Sequence, residues 1–293
     1  MTVVVGYRPG VGGEAGLALA TELCRSLRRD LAVVIALPRP WSVPSMAKVD
    51  AEFAAYAQRL GDDAESSARA ALERHPVPTA VTVHRVAERS VSAALATATR
   101  RLGATMLVMG TRRQTGGHIT LGSTTGRMVH SSEIPLALAP PGHEVAPDRP
   151  GIAGITCAYS ATSEGDQAVA RAAEMAADAG VRLRVASFGV APTDMYPPEV
   201  GLGAERGVLA AWREQAGVAL ARLVSSGVVD ADTDTVVATG TDYADALAAV
   251  AWPAGEVLAL GTTPRSGVKR VFLGSTATRI LGGAAVPTIV LPG

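Results

Sequence analysis

Two stretches of the chain, residues 110–127 and 261–279, carry the residue types best suited to binding chemistry. Each stretch begins with a glycine at the end of an apolar run and later reaches a Gly-Ser-Thr sequence, with an arginine one helical turn further on. The members are Gly110, Gly122, Ser123, Thr124 and Arg127 in the first stretch, and Gly261, Gly274, Ser275, Thr276 and Arg279 in the second. Backbone amides and hydroxyls at the start of a helix suit an anion, most naturally phosphate, and glycine lets the backbone come close to it.

A structural interpretation accounts for the same residues. Serine and threonine are common helix N-caps, and an arginine one turn later can simply face solvent. A single copy of the pattern would favour this interpretation. Because Gly-Ser-Thr-x-x-Arg occurs twice, the binding-site interpretation stays open beside it.

The chain contains an internal repeat. Residues 121–140 read LGSTTGRMVHSSEIPLALAP, and residues 273–292 read LGSTATRILGGAAVPTIVLP. The repeat predicts one domain that has been duplicated and fused, with boundaries at residues 1–140 and 151–293 and a proline-rich linker at 141–150. A chain of 293 residues is long enough for two such domains, each with its own core.

Short β-branched runs alternate with long alanine-rich segments in both halves. Strands are predicted at residues 3–6, 31–37, 80–86, 105–109, 135–139, 152–158, 181–187, 235–238, 257–260 and 287–291. Helices are predicted at residues 14–29, 47–74, 88–102, 164–179, 204–225, 242–251 and 275–282. Nearly continuous apolar strands are typical of sheets covered on both faces. We therefore predict an α/β fold of two tandem doubly wound domains, each a five-stranded, mainly parallel sheet with helices on both faces.

The composition argues against several classes of function. Lys plus Arg and Asp plus Glu both number 27, so no net field favours nucleic acid. Cys24 and Cys157 occupy unrelated places in the two repeats, which argues against a disulfide framework and predicts a buried thiol at Cys157. The sequence shows neither a signal peptide pattern nor an apolar stretch long enough to span a membrane. We expect a cytoplasmic protein without nucleic-acid or membrane partners.

The chain resembles the universal stress protein family in its fused tandem form. The resemblance rests on the opening VVVGYRPG, the two fourth-strand glycines, the two Gly-Ser-Thr turns and the closing IPLALAP and VPTIVLP. It implies five-stranded parallel domains that dimerise through the last strand, here as a pseudo-dimer within one chain, and it leaves a homodimer open. Some members of the family bind ATP through glycine, two residues, glycine, nine residues and then Gly-Ser or Gly-Thr. In these members an aspartate near the end of the first strand also contacts the nucleotide.

Both copies depart from that pattern. The second keeps its spacing but has Pro264 at the middle glycine, whereas the first has Arg113 there and a loop one residue shorter. The aspartate position falls at Arg8 in the first copy and at Ser160 in the second. Proline removes a backbone donor, and arginine cannot replace a glycine held against phosphate. The resemblance therefore implies an adenine-nucleotide site that is impaired, with the second half favoured, and a non-catalytic role.

Two other functions stay open. The segment from Gly10 through Gly12 to Ala15 fits a G-x-G-x-x-A dinucleotide fingerprint, and Arg39 could meet a 2′-phosphate, which would indicate an NADP enzyme. Alternatively both pockets have decayed, and the protein is an interaction scaffold that pairs through its closing strands. Other catalytic patterns, including phosphate-loop, nucleophile-elbow and zinc-protease motifs, do not occur in the sequence.

Overall fold

The computed structural model describes residues 1–10, 12–39, 47–111, 119, 121–146, 148–149, 151–190, 202–264 and 271–293. Two compact units divide the chain, Met1–Gly151 and Ile152–Gly293. Arg113, at the middle position of the first glycine motif, lies outside the described residues.

The first unit is a parallel sheet of five strands. Its elements in chain order are β1 (Thr2–Gly6), α1 (Gly13–Leu27), β2 (Asp30–Pro38), α2 (Ala47–Arg74), β3 (Val81–Glu88), α3 (Val91–Arg101), β4 (Ala104–Gly110), α4 (Ser123–Val129) and β5 (Leu136–Ala139). The strand order is β3-β2-β1-β4-β5, and each neighbouring pair is parallel. Helix α1 packs with α2, and α3 packs with α4, as the two-sided cover of a doubly wound sheet requires.

The second unit repeats this arrangement. Its elements are β6 (Gly154–Ala158), α5 (Ser163–Ala179), β7 (Arg182–Val190), α6 (Leu202–Ser225), β8 (Asp234–Gly240), α7 (Tyr243–Ala248), β9 (Glu256–Gly261), β10 (Thr263–Pro264), β11 (Val271–Phe272), α8 (Ser275–Gly283) and β12 (Thr288–Leu291). The strand order β8-β7-β6-β9-β12 corresponds strand for strand to that of the first unit, and the neighbouring strands are again parallel. The predicted fold class is therefore confirmed.

The core of each unit lies along its central strands. Val3, Val4 and Val5 in β1 are fully buried, and Ile155 and Cys157 in β6 are too. The valines and the isoleucine among them are β-branched and pack well on a pleated surface that is covered on both faces. Because the strand order reverses between β1 and β4, and between β6 and β9, the carboxyl ends of these strands form an open crevice in each unit.

The structure differs from the sequence prediction at several element ends and in one loop. Helix α3 begins at Val91 rather than at residue 88, because the Ser90 hydroxyl accepts a hydrogen bond from the amide of Ala93 and caps the helix there. Helix α7 ends at Ala248, short of residue 251. The loop predicted between Gly261 and Gly274 contains a short antiparallel ladder of β10 and β11.

The predicted linker at residues 141–150 includes a described residue that contacts α1 of the first unit. Its Val145 is buried, and the His143 Nε2 lies 2.8 Å from the Glu22 Oε2 on α1. None of the helices among the described residues combines the length and the apolar character needed to span a membrane.

Candidate functional site

The first unit contains a cavity of about 440 Å³ at the carboxyl ends of β1, β2 and β4. Apolar residues from β2, α2 and α3 form its floor and wall, and polar and charged residues lie around its rim. The lining residues that matter here are Tyr7, Arg8, Leu37, Leu60, Glu88, Arg89, Ser90, Gly110, Gly122, Ser123 and Thr124. A cavity of this size can enclose a small organic ligand.

The second unit contains the equivalent cavity, of about 470 Å³. It lies at the carboxyl ends of β6, β7 and β9, and four of the described residues that line it are aromatic. Its principal lining residues are Tyr159, Ser160, Thr162, Glu164, Phe188, Trp212, Tyr243, Gly261, Thr262, Gly274 and Thr276.

Most of the residues predicted from the sequence lie together in these cavities. In the first unit Arg8, Gly110, Gly122, Ser123 and Thr124 all line one cavity. In the second unit Ser160, Gly261, Gly274 and Thr276 line the other. Three predicted residues are placed differently: Ser275, Arg127 and Arg279 are exposed and do not line either cavity.

The glycines that begin α4 and α8 have no packing reason to be glycine. Gly122 and Gly274 both have ordinary negative φ angles, −68° and −57°, and a Cβ placed on either would meet no atom within 4 Å. Neither provides a side-chain hydrogen bond to its helix, whereas Thr162 caps α5 through its hydroxyl. The space beside both glycines and the uncapped amides of the longer helix, α8, are therefore open to a ligand.

The fourth-strand glycines, in contrast, are required by packing. A Cβ on Gly110 would collide with the backbone oxygen of Gly12, and a Cβ on Gly261 would lie 2.5 Å from the Cβ of Ala168. Helices α1 and α5 thus pack so closely against the ends of β4 and β9 that no side chain fits at these two glycines. Gly110 and Gly261 line the cavities, but helix contact alone explains why they are glycines.

The same close approach accounts for the glycine-rich segment after β1. Gly10 and Gly12 have positive φ angles of 68° and 77°. A Cβ on Gly12 would collide with the Thr111 oxygen, and one on Gly16 would lie 2.6 Å from the Gly110 nitrogen. Positive φ and contact with β4 explain this sequence without a dinucleotide.

A tyrosine follows the first strand in each unit, and the two tyrosines are bonded differently. The Tyr7 hydroxyl lies 2.9 Å from the Ser67 hydroxyl on α2, and burial raises the Tyr7 pKa above its ordinary value. The Tyr159 hydroxyl donates to the Asp166 carboxylate at 3.0 Å. Burial first, and then this carboxylate, raise the pKa of Tyr159 to about 12. Both phenols are neutral near pH 7, so they line the cavities as uncharged groups and do not act as bases.

Sequence reasoning missed Arg89 in the first cavity and Trp212 in the second. Arg89 directly follows β3, but the sequence placed it inside a helix predicted to start at residue 88. The N-cap signal of Ser90 would have separated it from that helix. Trp212 lies in the middle of α6, and no local signal indicates that it reaches the end of β7.

The described residues offer no metal centre, since no cluster of three or more His, Cys, Asp or Glu side chains among them could hold an ion. Cys24 and Cys157 are free and buried, which confirms the predicted environment of Cys157. Burial raises the pKa of each thiol to about 12. Neither thiol is poised as a nucleophile.

Comparison with known proteins places this arrangement in a family. Residues 1–140 and 154–292 each match the Universal stress protein family. The chain is 41% identical over its whole length to universal stress protein Mb2346c of Mycobacterium bovis and to universal stress protein Rv2319c of Mycobacterium tuberculosis, and it covers all of both relatives.

Solved structures share the fold at much lower identity. A universal stress protein from Archaeoglobus fulgidus DSM 4304 is 13% identical, with a TM-score of 0.57 over 99% of this chain and 98% of that one. PA1789 from Pseudomonas aeruginosa PAO1, described as functionally unknown, is 16% identical, with a TM-score of 0.55 over 99% of this chain and 92% of that one. With both halves matched and whole-length relatives at 41% identity, the chain belongs to the universal stress protein family.

Proposed function

We propose that this protein is a non-catalytic module that binds an adenine nucleotide, or part of one, in the cavities at the carboxyl ends of its two sheets. The observation that carries the proposal is the pair of glycines at the starts of α4 and α8. Gly122 and Gly274 line equivalent cavities, and the fold itself gives neither of them a reason to lack a side chain. Close approach of a ligand supplies that reason.

The location supports the proposal independently. In open parallel sheets, ligands bind beyond the carboxyl ends of the strands where the strand order reverses, and both cavities lie there. Each has an apolar floor suited to a flat ring, with hydroxyls and backbone groups at its rim. Ser123 and Thr124 in the first unit and Thr276 in the second are such rim residues.

The residues around the cavities do not favour catalysis. The described lining carboxylates are Glu88, which accepts a hydrogen bond from the Thr97 hydroxyl at 3.4 Å, and Glu164, which is bonded to the Ser163 hydroxyl at 3.1 Å. Hydrolysis of a nucleotide needs a metal-holding carboxylate or a positioned base. We therefore propose that binding itself, through its effect on the protein, is the output.

Serine substitution at the two cavity glycines tests the proposal. Serine at an N-cap accepts a hydrogen bond from the first-turn amides and stabilises a helix at least as well as glycine does. In the Gly122→Ser/Gly274→Ser protein the new side chains fill the open space and compete for the amides. We expect binding of adenine compounds to weaken by about 10-fold or more, as measured by isothermal titration calorimetry, while the melting temperature stays the same or rises.

Each helix supplies its own control. Gly126 in α4 and Gly282 in α8 also have open space where a Cβ would lie, but they do not line the cavities. The Gly126→Ser/Gly282→Ser protein should bind like the wild type. Native mass spectrometry of freshly purified protein should also show retained adenine nucleotide. The proposal fails if the wild type binds neither ATP nor adenosine, or if the two double variants bind equally well.

A further inference from the structure

We propose that the two halves bind different classes of ligand, an inference that rests on the proposed function. The cavity of the first unit takes a nucleotide through its polyphosphate. The cavity of the second unit takes an uncharged aromatic ring compound, a nucleoside. Equivalent positions in the two copies carry different chemistry, and each half serves as the reference for the other.

The backbone fixes which residues correspond. The amide of Tyr7 donates to the Val34 oxygen, and the amide of Tyr159 donates to the Ala186 oxygen, so the residues that follow, Arg8 and Ser160, are equivalent. Ser90 caps α3, and Asp242 caps α7. The residues before the caps, Arg89 and Thr241, are therefore equivalent too. At both positions the first unit has a permanent cation, and the second has a hydroxyl.

The two arginines give the first cavity the character of an anion site. Arg8 and Arg89 both line it together with one carboxylate, Glu88, so cations outnumber anions two to one among the described lining residues. Neither arginine is ion-paired with a carboxylate among the described residues. They follow β1 and β3, which are separated by β2 and hence by two strand spacings, roughly 10 Å. Guanidinium groups bind phosphate oxygens bidentately. Two of them along one rim fit a chain of phosphates better than a neutral compound.

The second cavity has the opposite character. Among the described residues that line it, none is Lys or Arg, and Glu164 is the one that carries a charge. Hydrogen bonds to the charged form, the largest from the backbone amide of Glu164 itself, lower the pKa of Glu164. A carboxylate at this rim repels phosphate near neutral pH.

Aromatic side chains are prominent among the described residues of the second cavity. Phe188, Trp212 and Tyr243 line the second cavity together with Tyr159, whereas Tyr7 is the one aromatic residue among the described residues that line the first. The Trp212 indole rests directly on Gly189, where a Cβ would collide with the ring. In the first unit Leu37 occupies the position equivalent to Gly189. Aromatic surfaces bind flat rings by stacking, at about 1–3 kcal/mol per base, and they need no charge on the ligand.

Exchange of residues between the two copies tests the division, using the full chain throughout. The Arg8→Ser/Arg89→Thr protein carries the second copy's residues in the first cavity. Two charge-assisted contacts are lost, so we expect ATP to bind about 100-fold more weakly while adenosine binding to the second cavity is unchanged. The Arg100→Ser/Arg101→Thr protein, altered at exposed residues at the far end of α3, loses the same charge and should bind ATP normally.

The reverse exchange tests the second cavity. The Ser160→Arg/Thr241→Arg protein should bind two ATP molecules per chain by calorimetry, where the wild type binds one. Trp212→Leu should weaken adenosine binding by about 10-fold or more and leave ATP binding unchanged. If the wild type binds two ATP molecules with equal affinity, or if the Arg8→Ser/Arg89→Thr protein binds ATP like the wild type, the division is wrong and the proposed function stands. If neither ATP nor adenosine binds the wild type, both fail.

Discussion

At the scale of single residues, the glycines of the two motifs separate into two groups with different physical causes. Gly122 and Gly274 border open space, whereas Gly110 and Gly261 lie in contact with helices α1 and α5. The sequence motif does not distinguish between these two groups of glycines. Their surroundings show that contact with a helix requires two of them, the interior group, whereas the other two border open space, so substitutions at the two groups should affect different properties.

The interior group yields a prediction about stability. In Gly261→Ala the new methyl meets the Cβ of Ala168 at 2.5 Å, and such overpacking should lower the free energy of unfolding by about 1–3 kcal/mol. Removal of the opposing methyl in Gly261→Ala/Ala168→Gly should restore most of this loss, apart from about 1 kcal/mol for a glycine inside α5. Urea denaturation of both single variants and the double variant measures the coupling.

Gly110→Ala in the first unit is the variant to compare with Gly261→Ala. There the new methyl meets the backbone oxygen of Gly12, and no side chain can be shortened to relieve it. This variant should be less stable than Gly261→Ala. Strictly additive effects of Gly261→Ala and Ala168→Gly would contradict the assignment of the clash.

At the scale of elements, the order of strands and helices could be predicted from the sequence, because apolar β-branched runs and alanine-rich segments are local signals. Helix α2 has the predicted bounds, Ala47–Arg74. The ladder of β10 and β11 could not be predicted, because it has two residues on each side and no periodicity to detect. Trp212 in the second cavity also escaped prediction, because its contact with Gly189 joins two elements through packing rather than through sequence pattern.

The contact of His143 with α1 of the first unit was likewise not predicted from the sequence. A proline-rich composition indicates a joint, but the His143 imidazole lies 2.8 Å from a Glu22 carboxylate whose side chain is only 2% exposed. Removal of one partner of a buried pair leaves a polar group without compensation. His143→Ala should therefore lower the free energy of unfolding by about 1–3 kcal/mol, measured by urea denaturation of the full chain.

A second variant distinguishes the lost pair from lost packing. In Glu22→Gln/His143→Ala the buried group cannot carry a charge, so part of the stability lost in His143→Ala should return. If the double variant is less stable than His143→Ala alone, the pair is not what holds this segment in place.

At the scale of the whole molecule, duplication has preserved the fold while the chemistry of the copies has diverged. Near the amino ends of the second sheet's strands, Arg184 donates to Glu256 at 2.7 Å and to the Thr156 hydroxyl at 2.9 Å. The strand registers place Ala32 and Val4 of the first unit at the positions of Arg184 and Thr156. The two copies have therefore diverged at buried positions of the sheet, and the differences between their cavities are part of the same divergence.

The two cysteines allow each half to be followed separately in the intact chain. Cys24 lies in α1 and Cys157 in β6, so each unit carries one thiol. Burial raises both pKa values to about 12, which keeps the thiols protonated below that pH. Since the thiolate is the reactive form, a thiol reagent at pH 8 should modify the native protein only when a unit opens, and should modify both cysteines rapidly in urea.

Ligands should then protect the two thiols differently. A ligand that binds only the folded form of a unit reduces its opening, by about 100-fold at a concentration 100 times its Kd. With ATP present, we expect the modification of Cys24 to slow by this order while Cys157 changes little, and with adenosine we expect Cys157 to be protected. Mass spectrometry of the labelled peptides measures the two rates in one sample. Equal protection of both cysteines by ATP would contradict the division of ligands, and rapid modification without urea would contradict the burial on which the measurement depends.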